Sequence, residues 1–171
     1  MIQLKYYLNN FLIYSILGFI LETSLKHTIF PGMNNGTLYG PWIQIYGFGV
    51  CLIIIIMRFI FNRVKANKFV KTILVFLISA FTLTLLEFIG GHLIELLTNE
   101  IFWDYSDLKF HIGHYIALEI SLVWGVASII VMYIIKPLTD KLIKKIPNIL
   151  TYLVFIIFLV DFVISTINNM F

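Results

Sequence analysis

The sequence predicts an all-α fold, a polytopic integral membrane bundle with five transmembrane helices. Three observations carry that prediction. Hydrophobic residues make up 60% of the chain and charged residues 12%, about half the charged share of a soluble domain. The apolar residues gather in five blocks, each close to the roughly 20 residues that cross a hydrocarbon layer. The basic residues concentrate on alternate connectors, as membrane insertion requires.

The blocks are Tyr6–Lys26, Trp42–Phe61, Phe69–Leu97, Tyr115–Ile135 and Ile149–Ile167. The first carries Glu22 and is followed by no small-x-small cleavage site, so it reads as a retained span rather than a leader. The second opens through Gly40-Pro-Trp-Ile-Gln-Ile-Tyr-Gly-Phe-Gly49. Pro41 suits a first helical turn, where its missing N–H is not needed. Trp42 and Tyr46 sit one turn apart, as interfacial aromatics do, and Gly47 and Gly49 thin one face. The other reading of this stretch is a partly unwound segment lining a cavity, where irregular backbone is tolerated inside a membrane. Cys51, the single cysteine, lies in this span, so the chain forms no internal disulfide. The third span holds Glu87, Gly91, His92 and Glu95, and the fourth Glu119 and Trp124. The fifth holds Asp161 near its middle, which needs a partner and is expected to find one across a protomer interface. No polar stretch is long enough for a soluble domain, so residues 1–171 are expected to form a single membrane domain.

Lys5 precedes span one. Arg58, Arg63, Lys65, Lys68 and Lys71 surround the connector between spans two and three, and Lys136, Lys141, Lys144 and Lys145 flank that between spans four and five. These are one, five and four, or ten of the twelve Lys and Arg residues; Lys26 and Lys109 are the others. With alternating connectors, this places the N-terminus inside and the C-terminus outside. The basic residues mark sidedness and give no basic soluble face, which excludes a nucleic-acid role.

The acids show the opposite bias. Glu22, Glu87, Glu95, Glu119 and Asp161 fall within spans, where a carboxylate costs about 2.5–3.5 kcal/mol at mid-membrane. Such residues face a bundle interior or a wet cavity. Span one carries Gly18-Phe-Ile-Leu-Glu22 and span three Gly91-His-Leu-Ile-Glu95. Positions i and i+4 share a helix face, so each pair joins a flat patch to an acid, and the glycine admits a neighbouring backbone. The recurrence suggests two tandem hairpins, with span five added. The acids then either reach interfacial water singly or meet across a pseudo-twofold axis to line a site.

The first outer connector is turn-rich and contains the sequon-like Asn35-Gly36-Thr37. The second, residues 98–115, carries Trp103, Asp104, Tyr105 and Asp107 as an expected aromatic and acidic cap over the outer helix ends. His111 and His114 have helical i, i+3 spacing, as do His92 and Glu95. These four are weak metal-ligand candidates, because the chain has no HExxH and no cysteine cluster. No metal and no other cofactor is expected.

The stretches FLIYSILGFILET, GPWIQIYGFG, EFIGGHLIE, WDYSD and LEISLVWG occur in this order. Together they resemble the bacterial membrane-protein family of ABC-transporter type IV permeases (CmpB-like); a group of animal transmembrane proteins of unassigned role is similar. The resemblance runs from Phe11 to Pro137. It implies a role for Gly18 and Glu22, for Gly40, Pro41, Tyr46, Gly47 and Gly49, and for Glu87, Gly91 and Glu95. It extends to Trp103, Asp104, Tyr105 and Ser106, and to Trp124 and Gly125. Two positions depart from the family's pattern. Gln44 stands where proline is usual, and His114-Tyr115 near a usual Gly-Arg, which puts a shared substrate in doubt.

Three functions follow from these residues. The first is a transport component of a bacterial plasma membrane, with acids lining an outward-side cavity for a cation or polar solute. As an ABC permease it would need a separate ATPase subunit, because the chain has no GxxxxGK[ST]. The second is a membrane-embedded, metal-dependent enzyme at the outer face, although no nucleophile stands out. The third is a non-catalytic structural or regulatory subunit whose polar residues lock helices together. The partners implied are the lipid bilayer, that ATPase subunit, and a second copy of the chain if Asp161 pairs between protomers.

Overall fold

The computed structural model describes residues 2–28 and 38–170. Most of the first outer connector, with Asn35-Gly36-Thr37, lies outside them. The elements are α1 (Ile2–Thr28), α2 (Gln44–Arg63), α3 (Lys68–Thr98), a hairpin of β1 (His111–Ile112) and β2 (Ile116–Ala117), α4 (Leu118–Ile130), a π-turn (Val131–Ile135), α5 (Lys136–Ile143) and α6 (Asn148–Met170). Among the described residues, five helices are long and apolar enough to cross a membrane: Gln3–Leu25, Gln44–Arg63, Lys68–Thr98, Leu118–Ile143 and Asn148–Asn168. Phe81, Leu96 and Ile149 are 72%, 77% and 79% exposed. Apolar surface of that extent on every long helix belongs against lipid, so the chain is a multi-pass membrane protein.

Contacts divide the chain into two compact units. The first comprises the residues up to Cys51 together with those from Thr139 onward. Here α1 packs along α6. Phe11, Leu12, Trp42 and Phe158 form its core, with Phe11 and Phe158 meeting edge to face at 5.0 Å. Polar side chains tie the same helices together. Asn9 donates to the Thr151 hydroxyl at 2.9 Å, Tyr14 and Thr139 share a bond of 3.1 Å, and Lys5 donates to the Ile146 carbonyl. Interhelical bonds of this kind contribute about 0.6 kcal/mol each. Through Phe158, α6 thus supplies part of this core.

The second unit runs from Leu52 to Leu138. Its centre is the packing of α3 on α4, where Gly125 lets the Phe76 ring lie against the helix. Ile53, Met57 and Val75 form a buried cluster, and Thr84 and Ser121 bond at 2.6 Å. Asn67 caps α3 by accepting from the Val70 N–H at 2.9 Å. Asn99 ends it in the left-handed region at φ 56°, a conformation that asparagine tolerates.

Three boundaries differ from the sequence reading. The fourth span does not stop at Ile135 but continues through Pro137 to Ile143. Proline cannot donate to the carbonyl one turn back and its ring crowds that carbonyl. The π-turn immediately before it widens the helix there, the usual way such a misfit is absorbed. At its start the span begins at Leu118, because residues 111–117 form the hairpin. Likewise α2 begins at Gln44, so Pro41 precedes the helix instead of opening it.

Candidate functional site

In the first unit, a Cβ on Gly18 would collide with the Tyr46 side chain where the ring begins. The glycine therefore lets this ring lie flat on α1. From there the Tyr46 hydroxyl reaches the carboxylate of Glu22, one turn further along the same face. In the second unit a Cβ on Gly91 would lie 2.5–2.7 Å from three atoms of the Tyr115 ring. The Tyr115 hydroxyl donates to Glu95 at 3.0 Å. Each Gly-x-x-x-Glu stretch thus closes in the same way: ring on glycine, phenol on carboxylate. Tyr46 comes from the first turn of α2, whereas Tyr115 comes from the turn between β1 and β2. The same contact is made from different local structures.

Glu87 lies one turn before Gly91 and is only 7% exposed. One oxygen accepts from Tyr105 at 2.8 Å and the other from the Trp124 indole at 2.6 Å. Hydrogen bonds to a charged acceptor are short and strong, and these two offset part of the cost of burying the acid. His92 packs edge-on to Tyr115 at 5.0 Å and stands 3.5 Å from Glu95.

The cap is built by backbone as much as by side chains. Tyr105 N–H donates to the His114 carbonyl at 2.8 Å, and the Asp104 carboxylate accepts from Ser106 N–H at 2.8 Å. That backbone bond, with the Ser106 hydroxyl and His114 at 3.1 Å, holds the exposed Asp104 carboxyl down at about 2. Burial, then the bond to Glu95, pushes the Tyr115 phenol up to about 12. The Trp103 ring meets Tyr115 at 5.7 Å. Asp107 is exposed.

Other expected residues fall elsewhere. Glu119 sits in the first turn of α4, where one oxygen accepts from Phe110 N–H at 3.2 Å; it ties the hairpin to the helix. His111 and His114 are not one turn of helix apart, because Gly113 turns the hairpin between them at φ 62°. His111 turns back to the Gly113 carbonyl and His114 pairs with Asp104. Among the described residues no three His, Cys, Asp or Glu side chains converge as metal ligands.

Asp161 finds its partners within the chain, not across a protomer interface. Its carboxylate accepts from the backbone N–H groups of Tyr39 at 3.2 Å and Gly40 at 2.8 Å. The Trp42 indole and the Ser165 hydroxyl complete the set at 2.5 Å and 2.9 Å. The segment before α2 is therefore unwound but satisfied, and Ile43 N–H adds a bond to the Ser15 carbonyl at 3.0 Å. Gly47 allows this approach, since a Cβ there would lie 2.5 Å from the Phe11 carbonyl. Gly49 is buried beside it. Tyr115 and the Trp42–Asp161 pair were missed by the sequence reading. The signal for the first was a tyrosine near the start of the span returning from each Gly-x-x-x-Glu.

A family model described as "Putative ABC-transporter type IV" matches residues 9–168. The chain belongs to this family. The match takes in α6, which the resemblance of Phe11 to Pro137 had left out, and with it Asp161. No curated protein matches the chain, and no solved structure does. Within the ABC-transporter type IV chain, the residues placed together are therefore Glu22 with Tyr46 in one unit, and Glu87 and Glu95 with Tyr105, Trp124 and Tyr115 in the other.

Proposed function

We propose that this chain is the membrane component of a transporter, with Glu22 and Glu95 lining water-reached surfaces at the outward ends of their helices and the buried Glu87 bracing the second of these sites from one turn before Gly91. The observation that carries the reading is the recurrence of one arrangement, a tyrosine seated on glycine and bonded to a carboxylate one turn on. A carboxyl group held in place by a neutral phenol offers its remaining oxygen to a passing cation or polar solute. In this reading the N-terminus is inside, residues 1–171 act as one membrane domain, and ATP hydrolysis is the work of a separate subunit. The family description supports the transport class and the apolar helices support a membrane location, which this reading assigns to the bacterial plasma membrane.

Cysteine accessibility tests the outward path. In a Cys51→Ser background, Glu22→Cys and Glu95→Cys are expected to react with a charged, membrane-impermeant thiol reagent added outside. Val126→Cys, on the exposed lipid side of α4, is expected to stay unlabelled. Silence at both acidic positions, with Glu100→Cys labelled, would overturn the reading. It would favour a structural subunit, for which Asp161 is the precedent: its bonds serve packing alone.

A further inference from the structure

The geometry points to a binding site for one anionic glycerophospholipid on the second unit, with an acyl chain along α4 and the headgroup phosphate at Lys68 and Lys71. The apolar part is an open groove of about 390 Å³ lined by Leu122, Val123, Val126, Ala127 and Ile130. All five lie on a single stripe of α4, at i, i+1, i+4, i+5 and i+8. No polar side chain lines the groove, which suits a hydrocarbon chain.

The same helix continues three residues beyond Ile130 to Tyr133. The Lys68 ammonium stands over the Tyr133 ring at 5.9 Å, and the Tyr133 hydroxyl accepts from Thr72 at 3.2 Å. Next to Lys68 on α3, the Lys71 ammonium lies over Phe61 at 5.5 Å. Arg63, at the end of α2, covers Phe59 at 4.2 Å. Among the described residues, no carboxylate pairs with Lys68 or Lys71. A cation held over an aromatic ring keeps its outer side open to an anion. The structure thus sets uncompensated positive charge beyond the end of an apolar groove, and charge complementarity selects a lipid of net negative charge over a zwitterionic one, whose own cationic group offsets its phosphate. Each lysine near a membrane surface adds about 1 kcal/mol of attraction to anionic lipid.

Native mass spectrometry of the full chain in a mild, uncharged detergent tests the site. Phosphatidylglycerol and phosphatidylcholine with identical acyl chains are the probes, and glycerol 3-phosphate is the control for headgroup alone. The wild type is expected to retain phosphatidylglycerol roughly tenfold to thirtyfold over phosphatidylcholine, and not to retain glycerol 3-phosphate. Lys68→Gln/Lys71→Gln should abolish the preference, and Lys68→Arg/Lys71→Arg should restore it. Val126→Trp, which fills the groove, should weaken retention of both lipids. Lys141→Gln/Lys144→Gln, an equal loss of charge at the other basic connector, should leave the preference intact. Overturning results are an unchanged preference in Lys68→Gln/Lys71→Gln, or an equal loss in the Lys141→Gln/Lys144→Gln control. Retention of glycerol 3-phosphate as strong as that of the lipid would overturn it too, as would an acidic protein co-purifying through Lys68 and Lys71 in place of lipid.

Discussion

Gly91→Ala and Tyr115→Phe separate the two halves of one contact. The first puts a methyl group inside the space of the Tyr115 ring, and overpacking of this kind costs about 1–3 kcal/mol. The second keeps the ring and removes the hydroxyl that Glu95 accepts from, at a cost of about 1 kcal/mol. Thermal unfolding in detergent should therefore rank Gly91→Ala below Tyr115→Phe, and both below wild type. Gly18→Ala and Tyr46→Phe should repeat that order if the two contacts are equivalent. Asp104 supplies a pH dependence. Its carboxyl is held at about 2, below its ordinary 3.8, so its contribution is present above about pH 4 and is lost as pH falls through about 2. The Trp103 fluorescence of the cap should change over that interval, and Asp104→Asn should remove this acid transition. These residues also show what a sequence discloses. Gly18 with Glu22, and Gly91 with Glu95, were legible because i and i+4 share a face in any helix. Their tyrosines were not, since Tyr115 reaches Glu95 only through the turn of a hairpin. His111 and His114 misled for the same reason: their spacing means adjacency in a helix and separation around Gly113.

At the scale of elements, the unwound lead-in to α2 depends on one carboxylate. Asp161→Asn keeps the shape but gives up the charge that four donor groups share, and bonds to charged groups are worth about 1.5–3 kcal/mol. Hydrogen exchange at Tyr39 and Gly40 should quicken in that variant, while exchange in the middle of α3 stays unchanged. Equal quickening in both places would mean that Asp161 supports the whole fold and not the lead-in. The existence of every long helix could be read from the sequence, because about 20 apolar residues have one structural outcome in lipid. Their ends could not. Pro41 looked like a first-turn residue, but Ile43 and Trp42 already have backbone partners that forbid a helix there. The fourth apolar block ends at Ile135, but a π-turn carries the helix on past Pro137.

For the whole molecule, the transport reading requires a partner that hydrolyses ATP. Purification of the tagged chain from its native membrane in mild detergent is expected to bring down a stoichiometric ATPase subunit, identified by mass spectrometry. The chain alone, or with further copies of itself, would remove ATP as the energy source. The membrane class and family were legible because they rest on composition and on ordered motifs spread along the chain. Asp161's role was hidden because it needs two segments far apart in sequence, Tyr39–Trp42 and α6.

If the carboxylates bonded to the glycine-seated tyrosines carry the function, substituting them in the native host abolishes it. A strain lacking the chain, supplied with Glu22→Gln, Glu95→Gln or Glu100→Gln at equal membrane levels, is compared with wild type in competitive growth. Glu100 lies exposed past the end of α3 and serves as the reference acid. Glu100→Gln is expected to restore growth fully, and Glu22→Gln and Glu95→Gln are expected not to, if the two carboxylates carry the function. Full restoration by all three would contradict that role.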